Sequence, residues 1–323
     1  MPLLIFMERK NDMIQQITRV DTRHMSRDDW LKLRRKTIGG SDAAGIVGLS
    51  RYSSPYTVWA NKTGRLPDGE DNEAMRQGRD LEEYVARRWM EQTGKTVRRC
   101  NAMLYNSCYP FAHADIDRSV IGEKAGLECK TTSTLNLKQF QGVEFPEQYY
   151  VQCIHYLAVT GWERWYLAVL VLGKGFYTFT LERDQAEIDA LMIAEQNFWH
   201  YVKTDTSPEL DGTEATGSAL QMIYPTSTGG DMQLFGRETM LQNYFLLREQ
   251  KSDLEEQIEQ IENTIKADLQ NYEHGNCGCF SISWKTQIRR QFQPKAFAEK
   301  HPEIDLTPYY KNTSVRPLKI TQI

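Results

Sequence analysis

Two short stretches hold side chains whose types and spacing suit chemistry. Phe111-Ala-His-Ala-Asp-Ile-Asp117 precedes Leu127-Glu-Cys-Lys130, giving the pattern Asp117-x10-Glu128-x-Lys130. If the first stretch is a strand, its period of two places His113, Asp115 and Asp117 on one face. If the second is a strand, Glu128 and Lys130 share a face and Cys129 points away. Two such strands side by side would bring carboxylates and an ammonium into one pocket. Buried carboxylates are costly together unless a cation neutralises them, and their oxygens suit Mg²⁺ or Mn²⁺. A lysine beside them could polarise or deprotonate a water for in-line attack on a phosphorus held by the metal. The same spacing fits a surface hairpin with Asp117–Lys130 and Glu128–Arg118 ion pairs. Gly126 before the second stretch and Thr131-Thr132 after it suit a place where backbone and substrate approach closely.

Other residues could join this pocket. Glu83 has Arg79 and Arg87 as solvent-face partners four residues either side, whereas Glu82 lies at the edge of an apolar stripe and is better placed to face a site. Gln152 and Tyr156 are one helical turn apart, with Tyr149 on the same stripe. That amide could position a water or a base, and fits equally a satisfied core glutamine. Arg34, Gly39-Gly40 and Ser41 suggest an anion site: glycines allow close backbone approach, and Ser41 could cap the helix that follows. Asp42 in that first turn weakens the case. No G-x-x-x-x-G-K-[ST] loop occurs.

The elements that must position these residues can be read in order. Ser26-x-x-Asp29 is a capping box that starts a helix with Trp30, Leu33 and Arg34 at helical spacing. Short helices follow over 43–49 and from Pro55 to Trp59. A long helix spans 71–93, with Leu81, Val85 and Trp89 on one stripe, and stops at Gly94. Strands are expected over 97–105, 111–117 and 126–131. Pro146 opens a helix to about residue 159, strands flank the Gly173-Lys174-Gly175 turn, and Asp184 caps a helix to about residue 201. Residues 204–235 read as a linker. Met240, Tyr244, Leu247, Leu254, Ile258, Ile261 and Ile265 form a heptad seam with Lys251 at its polar position, and intramolecular packing is favoured for it. A terminal β unit follows. His274, Cys277 and Cys279 lack the spacing of a zinc knuckle.

Composition sets the class. The 323 residues are 40% hydrophobic and 25% charged, the profile of a globular chain. No run of about 20 apolar residues suggests a membrane span, and the N-terminal MPLLIFMERK lacks signal-peptide flanks. Six scattered cysteines imply reduced thiols and a cytoplasmic setting. The net charge of −4 argues against a simple polybasic nucleic-acid binder. Charge is nevertheless segregated: residues 76–99 hold seven Lys/Arg against four acids, and residues 205–275 hold four against fourteen.

Taken together, Trp30-x3-Arg34, Ile38-Gly-Gly-Ser-Asp-Ala43, Gly78-x-x-Leu-Glu82, Ala114-x-x-Asp117, Leu127-Glu-Cys-Lys130 and Tyr150-x-Gln152-x3-Tyr156 resemble, in order, the YqaJ-type viral recombinase family. These are nucleases similar to phage lambda exonuclease, with a PD-(D/E)xK core. The resemblance runs from about Ser26 to Val202. It implies an α/β fold: a restriction-endonuclease-like mixed sheet flanked by helices, with a C-terminal long helix and β unit added. The expected layout is a tail over 1–25, a nuclease core over 26–203, a linker over 204–235 and an extension over 236–323.

By match of position, the resemblance implies that Asp117, Glu128 and the Cys129 carbonyl hold Mg²⁺ or Mn²⁺. Lys130 acts on the attacking water, Glu82 helps a second metal, and Gln152 lies beside the nucleophile. Arg34 and Ser41 grip a 5′-phosphate, and Asp115 and Tyr156 are further candidates. The family usually has Asp-Gly where this chain has Asp117-Arg118, which could alter the backbone there. The function implied is a 5′→3′ double-strand DNA exonuclease of phage-type recombination, working with a single-strand annealing protein and often as a trimeric ring. The alternatives are an endonuclease on the same core, or an inactive DNA- or partner-binding protein.

Overall fold

The computed structural model describes residues 16–67, 69, 71–133, 145–311 and 315–322, so the N-terminal apolar run lies outside the described residues. The chain divides into two compact units, Met1–Pro225 and Thr226–Ile323.

In the first unit, Ile17–Asp21 forms β1. Ser26 Oγ accepts the Asp29 N–H at 3.1 Å and so caps α1, Arg27–Arg35. β2 (Ile38–Gly39) runs into α2 (Gly40–Ile46). Ser54 and Thr57 cap each other's backbone at the start of α3 (Pro55–Lys62), with Pro55 in its first turn. Asn72 caps α4 (Glu73–Thr93), and Gly94 ends it at φ 70°. Then come β3 (Val97–Arg99), β4 (Ala102–Asn106), β5 (Ala112–Asp115), β6 (Arg118–Val120) and β7 (Ala125–Thr132). α5 (Glu147–Thr160) leads to β8 (Arg164–Val171) and β9 (Gly175–Glu182). Asp184 caps α6 (Gln185–Lys203), and Thr213 caps α7 (Glu214–Ile223).

The result is a mixed α/β fold with two sheets. One has the order β3-β6-β7-β8-β9, antiparallel except for the parallel β7–β8 pair. The other has the order β1-β4-β5-β2, with β2 parallel to β5. Parallel neighbours need a crossover, and α5 supplies it between β7 and β8. This helix is buried from Val151 to Thr160 because it packs against α2, α6, β4, β5 and β8. On another side of the five-stranded sheet, Val85, Ala86 and Trp89 of α4 pack on Leu127, Tyr166 and Ala168.

Four features depart from the sequence reading. The tail contains β1, whose five residues are all exposed and whose ladder to β4 gives it order. The single strand expected over 97–105 breaks at Cys100-Asn101, because β3 and β4 belong to different sheets. The strand expected over 111–117 ends at Asp115 for the same reason, with β5 and β6 in different sheets. Within the expected linker, α7 buries Thr216 and Ala219, and Thr216 Oγ1 meets Ser54 Oγ at 2.7 Å.

The second unit contains α8 (Glu238–Leu269), a hairpin of β10 (His274–Cys277) and β11 (Phe280–Ser283), and the short α9 (Pro294–Lys300). The seam forms one continuous helix, on which Leu254, Ile258 and Ile261 are more than half exposed and Ile265 is half-buried. Cys277 and Cys279 are free and exposed.

Candidate active site

Glu128 and Lys130 stand on the same face of β7, two residues apart, and their side chains meet at 2.6 Å. Cys129 faces the opposite side, against the apolar cluster around Val85 and Trp89. Glu128 is 3% exposed. Its Oε1 also accepts Gln152 Nε2 at 2.7 Å from α5, while its buried Oε2 has no partner. Asp117 does not extend the face of β5. It sits at the bend between β5 and β6, and its Oδ2 accepts the Cys129 N–H at 2.8 Å. The bend, not strand periodicity, therefore brings Asp117 to Glu128. Neither ion pair of the surface-hairpin reading forms: Lys130 pairs with Glu128, and Arg118 pairs with Glu82.

The electrostatics follow from this crowding. Burial, then the Glu128 charge, holds the Asp117 carboxyl well above its ordinary range. Burial raises Glu128 too, against the pull of Lys130. Burial alone would lower Lys130, but Glu128 and Asp117 outweigh it and push the ammonium upward, so Lys130 is a firm cation here. Lys130 Nζ also lies 5.5 Å from the centre of the Tyr149 ring.

The remaining candidates connect to this centre by contact. Gln152 Nε2 gives its second proton to Tyr156 Oη at 2.9 Å, and Tyr156 donates to the Asp115 carbonyl at 3.1 Å. The Asp115 carboxylate accepts Trp30 Nε1 at 3.0 Å, and Trp30 lies under the Arg34 guanidinium at 4.6 Å. Arg34 Nη2 donates to Ser41 Oγ at 2.6 Å. Glu82 reaches the centre through Arg118, which also donates to the Asp117 carbonyl at 2.9 Å.

Several local expectations change. Ser41 does not cap α2: Gly39 is the N-cap, and its N–H donates to Asp42 Oδ2 at 2.8 Å. Asp42 pairs with the buried Lys62 at 2.6 Å, and Lys62 also donates to the Arg34 carbonyl at 2.9 Å. Burial opposes the Asp42 charge, but Lys62 and Arg34 prevail and hold its carboxyl down at about 2. The glycines serve packing. A Cβ on Gly39 would lie 2.8 Å from His113, one on Gly40 2.6 Å from the Tyr156 ring, and one on Gly126 2.4 Å from the Trp165 ring. Glu83 pairs with Arg99 and Arg118 rather than with helix neighbours, while Arg79 turns to Asp71. Arg118 leaves the backbone regular, since β6 begins there in register with Arg99 and Leu127.

Sequence reading saw Arg118 as a departure from the family and as a surface ion-pair partner of Glu128, and missed Lys62. Arg118 is 3% exposed and fixes both Glu82 and the Asp117 carbonyl, whereas Lys62 supports Arg34 from below. A lysine in the apolar stretch Tyr56-Thr-Val-Trp-Ala-Asn-Lys62 was the available signal for the second.

Among the described residues, no three His, Cys, Asp or Glu side chains form a closed cage. Mg²⁺ does not require one, because it keeps several waters and takes one or two carboxylates. A buried Glu128 oxygen without a partner, beside an Asp117 whose charge is disfavoured, fits such a half-protein site.

The fold and site define a mixed α/β protein with a buried acid–acid–lysine centre. Residues 29–163 match the model of the YqaJ-like viral recombinase domain. The chain is 40% identical over 287 residues to the uncharacterized protein YqaJ of Bacillus subtilis (strain 168), spanning 87% of this chain and 90% of that relative. The chain belongs to the YqaJ-like viral recombinase family. Similar solved structures include an alkaline exonuclease from Laribacter hongkongensis, with 19% identity, TM-score 0.47, and coverage of 55% of this chain and 93% of that one. A phage-related exonuclease from Haemophilus somnus 129PT is similar at 13% identity and TM-score 0.37, over 55% of this chain and 99% of that one. No helix among the described residues is long and apolar enough to cross a membrane.

Proposed function

We propose that this protein is a Mg²⁺-dependent deoxyribonuclease that degrades duplex DNA from a 5′ end and leaves 3′ single strands. The observation that carries this reading is the buried, partnerless Oε2 of Glu128 beside Asp117 and Lys130. Asp117, Glu128 and the Cys129 carbonyl would hold the metal, with Glu82 available to a second ion; Mn²⁺ suits the same oxygens. The metal supplies charge neutralisation at the scissile phosphate and acidifies water. Lys130, held by Glu128, orients the attacking water with its N–H groups and offsets negative charge as it develops on the phosphoryl oxygens. Gln152 and Tyr156 fix the Glu128 carboxylate, and Arg118 fixes Glu82. Arg34 and Ser41, already in contact, would receive a terminal 5′-phosphate. The 3′ strand would pass to a single-strand annealing protein, and a ring of copies would keep the enzyme on its track.

Linear duplex with 5′-phosphate or 5′-hydroxyl ends, and closed circular duplex, are incubated with Mg²⁺ or with EDTA. The expected result is Mg²⁺-dependent loss of linear DNA only, faster from phosphorylated ends. Nicking of closed circles at equal end preference would replace this reading with an endonuclease. Binding without cleavage under any divalent metal would leave a DNA-binding protein.

A further inference from the structure

An open groove of about 420 Å³ lies outside the residues assigned so far. Its walls are Arg19, Asp21 and Arg23 from β1 and the turn after it, and Arg98, Arg99 and Asn101 from the β3–β4 crossing. Four guanidiniums face one carboxylate of the lining, although the whole chain carries a net charge of −4. The charges are not all spent internally. Arg23 is held by Asp21, and Arg99 donates to Glu83 at 3.2 Å. Arg98 reaches only a hydroxyl, Ser119 Oγ at 3.3 Å, and it and Arg19 have no acidic partner among the described residues. Both are exposed, and an arginine left without a carboxylate keeps its fork of donors for an outside anion.

The position of the groove is set by topology. The chain leaves the five-stranded sheet at Cys100-Asn101 and returns to it at Ile116-Asp117, and the two crossings touch: Cys100 N–H points at the Asp117 carbonyl at 3.4 Å. Arg98 is in register with Ser119 on β6, and Ser119 with Gly126 on β7, which shares its face with Glu128 two residues on. Arg98 therefore stands two strand spacings, about 10 Å, across the sheet from β7, on the face that carries Glu128 and Lys130.

From this placement we propose that the Arg19–Arg98 groove binds the phosphate backbone of the DNA that enters or leaves the active site. The proposal rests on the nuclease reading for the identity of the polyanion. Repeated phosphates match a row of guanidiniums, and exposed arginines of this kind give sequence-independent, salt-sensitive contacts.

The test is binding of fluorescent 20-base-pair duplex and of the matching single strand to the full chain in EDTA, measured by anisotropy over a range of KCl. Arg19→Ala/Arg98→Ala is expected to weaken binding on the order of tenfold and to lower the log–log salt slope by about two. Arg19→Lys/Arg98→Lys should recover most of the slope, and unchanged melting temperatures verify folding. Loss on the duplex arm, the single-strand arm or both supports the groove, and tells which strand lies there. Unchanged affinity and slope on both arms overturn it. Equal capture of polyglutamate that the same variant abolishes, with no DNA bound, also overturns it, in favour of an acidic protein partner. The two readings fail separately: binding through the groove without cleavage refutes the nuclease, and cleavage with unaltered binding in the variant refutes the groove.

Discussion

Lys130→Met is the most direct test of how the acidic centre holds together in the absence of metal. In the folded chain Lys130 is the direct cationic partner of Glu128, at 2.6 Å, and its side chain is 25% exposed. Removing one member of a buried pair costs about 3–5 kcal/mol, because the other charge is stranded. Partial exposure of the lysine and the surviving Gln152 bond place this case at the low end, about 3 kcal/mol. Protonation of Glu128 sets a ceiling. Neutralising a carboxyl of ordinary pKa about 4.5 costs about 3.5 kcal/mol at pH 7, but less than about 1 kcal/mol at pH 5. The sign follows: Glu128 is already raised in the folded state and rises further without the lysine. Its contribution is fully present below the ordinary carboxyl value and is lost as pH climbs through the folded value. The deficit should therefore grow with pH. In thermal unfolding with EDTA, the variant should melt about 6–12 °C below wild type at pH 7 and much closer to it at pH 5. Glu128→Gln/Lys130→Met should regain most of the loss. A Lys130→Met variant within about 1 °C of wild type at pH 7, or a deficit that widens as pH falls, would refute this account of the pair.

Three further outcomes are expected. Asp117→Asn should abolish cleavage yet raise the melting temperature in EDTA, more at pH 8 than at pH 5, because the lost charge is one that burial and Glu128 disfavour; residual wild-type turnover would remove Asp117 from the centre. Mg²⁺ at about 100 times its Kd should stabilise the wild type by about 2.7 kcal/mol and leave Asp117→Asn unmoved in the same melting assay, whereas equal shifts would mean binding elsewhere. Arg34→Ala should cut the rate on 5′-phosphorylated ends about tenfold, with little change on 5′-hydroxyl ends, measured as initial rates on end-labelled duplex; an equal fall on both ends would make Arg34 a general support.

The local code alone determined most helix limits. Ser26 and Asp184 are short polar side chains that satisfy free N–H groups at helix starts, and Gly94 ends a helix at positive φ. The alternation of Glu128, Cys129 and Lys130 likewise follows from one strand's period of two, so their facing was legible before any fold. What depends on long-range pairing was not. Asp117 reaches Glu128 only because the chain changes sheets at residues 116–117, and nothing in a window of a few residues signals a change of sheet. Gly39, Gly40 and Gly126 looked like room for a ligand, but only the packed His113, Tyr156 and Trp165 reveal that the missing Cβ atoms make room for the protein's own rings. Arg118 and Lys62 look like surface charges in one dimension. Their burial is tolerated because Glu82 and Glu83 meet the first and Asp42 the second, partners up to 36 residues away, a balance of desolvation against pairing that exists only in three dimensions.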